Sequence, residues 1–139
     1  MLTIEEVREE VYRLGKLIGL ERDSDLYPLF TTVTKVWSEG YSFYIDDGKY
    51  HYVAMDRGRE NKHYESENLK EILYFLSNDI TFSLARQYEL EHRIENQSFR
   101  RILFAKQLEL LGKIDREYVL KCEQEIEAIL KISPYRDNK

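Results

Sequence analysis

Apolar and aromatic residues recur at helical spacing through the stretch from Ile80 to Leu111. Ile80, Leu84 and Tyr88 fall in steps of four, and Phe99, Leu103, Leu110 and Leu111 follow. Residues three or four apart share one helix face, so the pattern predicts a buried stripe. Arg86, Glu89, Arg93, Arg100, Arg101 and Lys106 fill the opposite face. Glu95 to Ser98 interrupts the stripe, and Asn96 or Ser98 can cap a new helix there. Two helices with a tight connection are therefore expected. Upstream, Ile4, Val7, Val11, Leu14 and Ile18 repeat in the same way, behind a Thr3/Glu6 capping-box spacing and ahead of Gly19. Leu69, Ile72, Leu73 and Leu76 predict another helix, capped by Ser66. Residues 67–94 form either that helix and a second one or a single long helix. Gly112 is expected to close the helix after Ser98. Asp115 is expected to cap the last helix, with Tyr118, Val119, Cys122, Ile126, Ile129 and Leu130 as its buried side and Pro134 as its end.

Between the first helix and Leu69 the period changes from about four to two. TTVTKVW (31–37) is rich in β-branched residues and ends at Ser38-Glu39-Gly40, which fits a hairpin loop. YSFYID and KYHYVAM then flank Asp47-Gly48, a strong two-residue turn signal. That turn pairs Asp46 with Lys49, Ile45 with Tyr50, Phe43 with Tyr52 and Tyr41 with Ala54. One face then carries Tyr41, Phe43, Ile45, Tyr50, Tyr52 and Ala54 and is apolar enough to cover helices. The other carries Ser42, Tyr44, Asp46, Lys49, His51, Val53 and Met55 and is mixed, so it is expected to be exposed. Residues 56–66 read as a polar loop around Gly58. The fold class is α+β: a three-stranded antiparallel meander packed against several amphipathic helices, in one domain spanning residues 1–139.

Composition narrows the function classes. A net charge of −5 argues against a nucleic-acid partner and suits a basic one. One cysteine, Cys122, excludes an intramolecular disulfide, and neither a disulfide scaffold nor a zinc site is expected. The acidic, amphipathic start lacks signal-peptide regions, and no apolar run approaches a bilayer span. A cytoplasmic protein with no membrane partner is expected. Eleven tyrosines are many for this length, and several fall on the expected sheet.

The candidate chemistry is thin. Glu60-x-x-His63 and Glu89-x-x-His92 have the spacing of a di-iron half-site, but Glu60 and His63 fall in the expected loop, and surface side chains explain both pairs. His51, His63 and His92 lack any sequence sign of a pocket, and no phosphate-binding glycine loop is present. No metal, cofactor or catalytic residue is expected. The basic residues of the central stretch are best explained by neighbouring ion pairs, Glu89 with Arg93 first.

The segments YHYVAMDRGRE, ITFSLARQYELEHRI, QSFRRILFAKQLELLGKI and EAILKISPYRD, in that order, resemble a family of bacterial immunity proteins from polymorphic-toxin systems. The resemblance covers roughly Tyr50 to Tyr135. Its most specific pieces are His51-Tyr52-Val53 with Arg57-Gly58, Tyr88-Glu89-Leu90-x-His92-Arg93-Ile94, and Phe99-Arg100-Arg101. Ser133-Pro134-Tyr135 departs from a His-Pro-Phe-like ending, which weakens the match in the tail. The resemblance implies a small cytoplasmic protein that binds a cognate toxin domain and blocks it, with no reaction and no cofactor. It supplies no contact residues. Interfaces favour tyrosine and arginine anchors amid polar groups. On that ground the expected partner-binding residues are Tyr44, Asp46 and His51 on the mixed hairpin face, with Asp56, Arg57, Arg59 and Glu60 beside it. A small enzyme using a His/Tyr/carboxylate pocket and an oligomeric structural module are the alternatives, and the oligomeric state is open.

Overall fold

The computed structural model describes residues 1–32 and 39–138. Its elements are α1 (Ile4–Leu17), β1 (Leu29–Phe30), β2 (Gly40–Asp46), β3 (Lys49–Asp56), β4 (Arg59–Ser66), α2 (Leu69–Glu91), α3 (Phe99–Ile114) and α4 (Arg116–Ile132). The class is α+β. The chain divides into two compact units, Met1–Leu76 and Ser77–Lys139. Among the described residues no helix is long and apolar enough to cross a membrane.

The first unit is built on a four-stranded sheet of order β1-β2-β3-β4. The expected three-stranded antiparallel meander is thus a four-stranded mixed sheet, because β1 pairs parallel with β2 and β4 adds a further antiparallel edge. Most of TTVTKVW (33–37) lies outside the described residues. The β2–β3 register is the one the Asp47-Gly48 turn dictates, from Asp46 opposite Lys49 to Tyr41 opposite Ala54. Both turn residues have positive φ, 50° and 72°, the condition of a type I′ turn.

Phe43, Tyr50, Tyr52 and Ala54 are buried on the first face, while Tyr41 is exposed and stacks on Tyr52 at 5.3 Å. A line of ring contacts runs from Tyr12 on α1 through Phe30 and Phe43 to Tyr52, Tyr64 and Phe75. Burying one such ring is worth about 1.5–3 kcal/mol, so this line is a main source of the unit's cohesion. The Tyr50 hydroxyl accepts from the Leu2 amide at 2.9 Å, so its polar end is satisfied at the edge of the core.

The mixed face departs from expectation. Ser42, Tyr44, His51, Val53 and Met55 are all buried, so the face is not a solvated one. The expected polar loop at 56–66 is the source of the error at one edge. It contains β4, which extends the sheet beyond β3 and brings its own side chains over that face.

Helix α1 begins with the complete capping box: Thr3 Oγ1 accepts from the Glu6 amide, and Glu6 accepts from the Thr3 amide. It ends in paired bonds from the Gly19 amide to Lys16 and the Leu20 amide to Gly15, with Gly19 at φ 86°, a Schellman closure. Gly15 is needed for another reason. A Cβ there would sit 1.9 Å from the Tyr27 hydroxyl and under 3 Å from its ring, so the glycine admits the Tyr27 side chain against the helix.

Residues 69–91 form one helix. Asn78 and Asp79 do not break it, since Asn and Asp cost only a fraction of a kcal/mol in a helix interior. Its start is capped by Asn68, whose Oδ1 accepts from the Glu71 amide, while Ser66 receives the Asn68 amide one step earlier. In the second unit Asn78 has a tertiary role. Its carbonyl and Oδ1 accept from the buried Gln107 amide of α3 at 3.1 and 2.9 Å. Gly112 lies inside α3 rather than ending it. The break comes at Asp115, whose extended backbone closes α3 and whose carboxylate caps α4 through the Glu117 amide. Tyr118, Cys122 and Ile126 form the buried side of α4, whereas Ile129 is exposed. The tail returns to the start of α3. Asp137 accepts from Arg101 and from the Ser98 amide, and the Arg101 guanidinium lies 4.1 Å from the Tyr135 ring centre.

Candidate functional site

Strands β3 and β4 are joined by Arg57-Gly58, whose φ values of 55° and 74° repeat the geometry of the first hairpin. Gly58 N–H donates to the Glu39 carboxylate at 3.1 Å, which braces the turn from outside. The ladder opens with Asp56 opposite Arg59 and Met55 opposite Glu60. It then slips, so that Ala54 faces Lys62, Val53 faces His63 and His51 faces Glu65. Asn61 is the extra residue of this bulge. Side chains alternate along a strand, so positions 60 and 63 would ordinarily point to opposite faces. The bulge adds one residue and turns Glu60 to the same face as His63, Glu65 and His51. Re-aiming a side chain is a common use of a bulge.

The result is a polar cluster on the second face of the sheet. Tyr44 and His51 are opposite each other in the β2–β3 register and stack with ring centres 4.7 Å apart and planes 8° from parallel. His51 Nδ1 is 2.8 Å from His63 Nε2, and His51 Nε2 is 3.1 Å from the Asp46 carbonyl oxygen. His63 Nδ1 contacts the Glu60 carboxylate. Glu65 divides its oxygens, Oε1 lying 3.6 Å from Lys49 Nζ and Oε2 3.6 Å from His51 Nδ1. The His51 side chain is 8% exposed and that of His63 34%. Burial, then the carboxylates of Glu60, Asp46 and Glu65, holds the Tyr44 phenol above the ordinary tyrosine range. His51, His63 and Glu65 each bring one potential metal-ligating atom to within 4.8 Å of the others.

The structure brings four of the seven expected partner-binding residues, Tyr44, Asp46, His51 and Glu60, to this cluster. Tyr44 and His51 are buried, in contrast to the exposure expected of them. Asp56, Arg57 and Arg59 sit apart, at the β3–β4 turn, and all three are exposed along with Asp46 and Glu60. His63 and Glu65 belong to the cluster and were missed as a pair. Their signal was the i, i+2 spacing of a strand, hidden in RENKHYES by the absence of any apolar alternation. The Glu60-x-x-His63 pair does meet, through a bulged strand and not through a helix. His92 is elsewhere, stacked on Tyr88 at 3.9 Å near the end of α2.

The basic residues of the central stretch are largely engaged. Arg93 grips Glu89 with two bonds of 3.1 and 2.7 Å, and these bonds hold the Glu89 carboxyl below the usual range. Arg100 donates to the Ser133 and Pro134 carbonyls, and Lys106 reaches Glu109. In the second unit a groove of about 370 Å³ lies among Phe82, Arg86, Glu89, Leu90, Phe99 and neighbours. Phe82, Leu90 and Phe99 on its walls are 43%, 59% and 52% exposed.

Among curated proteins and among solved structures, comparison gave no match. A family model described as Immunity protein 63 matches residues 46–128, a span that takes in both hairpin turns, β4, α2, α3 and most of α4. Covering more than half of the chain, that match places it in a family: the protein belongs to the Immunity protein 63 family.

Proposed function

We propose that this protein is a cytoplasmic immunity protein of a bacterial polymorphic-toxin system, which binds a cognate toxin domain and neutralises it without chemical turnover. The observation that carries the reading is the family match over residues 46–128. The proposed contact surface lies within that span. It consists of the exposed Asp46, Asp56, Arg57, Arg59 and Glu60, backed by the buried Tyr44 and His51, which hold the β2–β3–β4 surface rigid. A rigid, preorganised surface loses less entropy on binding. The net charge of −5 would speed encounter with a basic toxin.

The groove on α2 and α3 is the second reading of where the toxin docks, because three large apolar side chains are exposed around it. Both readings are tested together by co-expression with the toxin domain encoded in the adjoining reading frame. Protection of the cells, with a co-purifying complex, is the expected result, and unprotected cells would overturn the function. The double variant Arg57→Ala/Arg59→Ala is expected to weaken the complex at least about tenfold, the size of one good interface anchor. If Phe82→Ala/Leu90→Ala does so instead, the groove is the contact surface.

A further inference from the structure

The hydrogen-bond pattern of the histidine pair leaves a place for one cation. The Asp46 carbonyl can only accept, so His51 Nε2 carries a proton and donates to it. The Glu60 carboxylate accepts from His63 Nδ1, which therefore carries a proton too. In neutral rings the two remaining nitrogens, His51 Nδ1 and His63 Nε2, present lone pairs, and these face each other at 2.8 Å. Two lone pairs at that distance repel unless something positive lies between them, either a proton shared as N–H···N or a metal ion. Glu65 Oε2, 3.6 Å from His51 Nδ1, adds a negative charge to the same point.

The geometry points to a binding site for a divalent first-row transition ion, zinc foremost, held by His51 Nδ1, His63 Nε2 and Glu65 Oε2. Imidazole nitrogen with one carboxylate is a donor set that zinc favours, and three protein ligands leave a fourth position for water. The outer contacts are those a metal-binding histidine needs. Each ring's far nitrogen donates to a backbone carbonyl or a carboxylate, which fixes the tautomer and aims the near nitrogen inward. Here the Asp46 carbonyl performs that task for His51 and Glu60 performs it for His63. The bulge at Asn61 is what makes the second of these contacts possible. Two nitrogens on tetrahedral zinc stand ~3.3 Å apart, given Zn–N bonds of about 2.0–2.1 Å. The rings must therefore separate by about half an ångström. His63 can supply this movement, because it is one-third exposed and lies on the edge strand. The ion would tie β4 to β3 from the face opposite the aromatic line. The inference does not rest on toxin binding, and its test uses the free protein.

The full-length, tag-free chain is titrated with zinc alone by calorimetry, and with cobalt(II) alone by visible spectroscopy. Expected are one ion per chain, ligand-field bands of a four- or five-coordinate site, and a rise in the unfolding midpoint of roughly 5–10 °C at free zinc a hundredfold above its Kd. Long-range 1H–15N spectra should show zinc shifting His51 Nδ1 and His63 Nε2 and sparing the His92 ring. His63→Gln and Glu65→Gln lie on the exposed edge strand, where folding tolerates them, and should abolish stoichiometric binding. Glu60→Gln, which replaces the outer carboxylate by a neutral amide, should weaken it by about 10–100-fold. His92→Gln should bind as the wild type does. Absence of zinc binding in the folded wild type overturns the proposal. So does binding that survives His63→Gln or disappears with His92→Gln.

Discussion

The two hairpins that share β3 use the same turn geometry and differ in almost everything else. Both place positive φ on two successive residues, 50° and 72° at Asp47-Gly48, 55° and 74° at Arg57-Gly58. The first joins two tyrosine-rich strands and buries both faces of its centre. The second joins β3 to RENKHYES, most of which is exposed. Aspartate tolerates the left-handed region because its short polar side chain can bond locally, whereas arginine has no such help. The second turn compensates through the Glu39 carboxylate that receives the Gly58 amide. A strand can thus be held by a partner's ladder and a braced turn when its own side chains contribute little to the core.

The largest expected difference between the hairpins is in the core. Phe43→Ala, at a site with no exposed surface, should destabilise by about 3–5 kcal/mol in urea unfolding. Tyr64→Ala, on β4, should cost clearly less, since Tyr64 is half-buried and its ring has one face on Phe75 at 3.8 Å. Equal losses would erase the distinction. Next come the turns. Gly48→Ala and Gly58→Ala should each cost about 1–2 kcal/mol, the penalty of an L residue in the left-handed region. A neutral Gly58→Ala would show that the second turn is not of the first turn's type. Smaller again, Arg57→Asn should stabilise by on the order of half a kcal/mol, and Asp47→Arg should destabilise by a similar amount. The asymmetry is visible as opposite shifts in the unfolding midpoint.

The smallest effect is a pH dependence at the row where the two hairpins meet. Burial holds the Tyr44 phenol above its ordinary value, and the carboxylates of Glu60, Asp46 and Glu65 add to the shift. The unfolded tyrosine ionises near pH 10 while the folded one stays protonated, so the folded state binds more protons there. This contribution to stability is intact below about pH 10 and is lost as pH rises through the folded value. Tyr44→Phe should make the alkaline fall in unfolding midpoint shallower as pH rises above about 10, the value of the unfolded tyrosine. An unchanged slope would mean that Tyr44 titrates alike in both states.

The contrast also explains what could be read from the amino acids. The Thr3/Glu6 box, the β2–β3 register, the Glu89–Arg93 pair and the Asp115 cap all follow from interactions between residues close in sequence or from one unmistakable turn. Each appears in the structure as expected. The strand β4 was not legible, because RENKHYES has neither β-branched residues nor apolar alternation and its turn begins with arginine. With β4 misread as loop, His63 and Glu65 had no face to share, and the mixed side of the hairpin looked open to water. The unity of α2 was undecidable for another reason. Asn78 and Asp79 suit a helix end by local preference, and only the distant Gln107, which reaches Asn78 from α3, gives Asn78 a tertiary partner inside the helix.

The bulge at Asn61 makes parity a hidden variable of this protein. In an extended ribbon, an odd or even count decides which way each residue points. One residue gained between Ala54 and Met55 would take Asn61 as its partner, straighten the ladder and swap Glu60 to the far side, with every amino acid otherwise intact. Grafting this ribbon onto another scaffold, or shortening it, has to preserve that count before it preserves any letter.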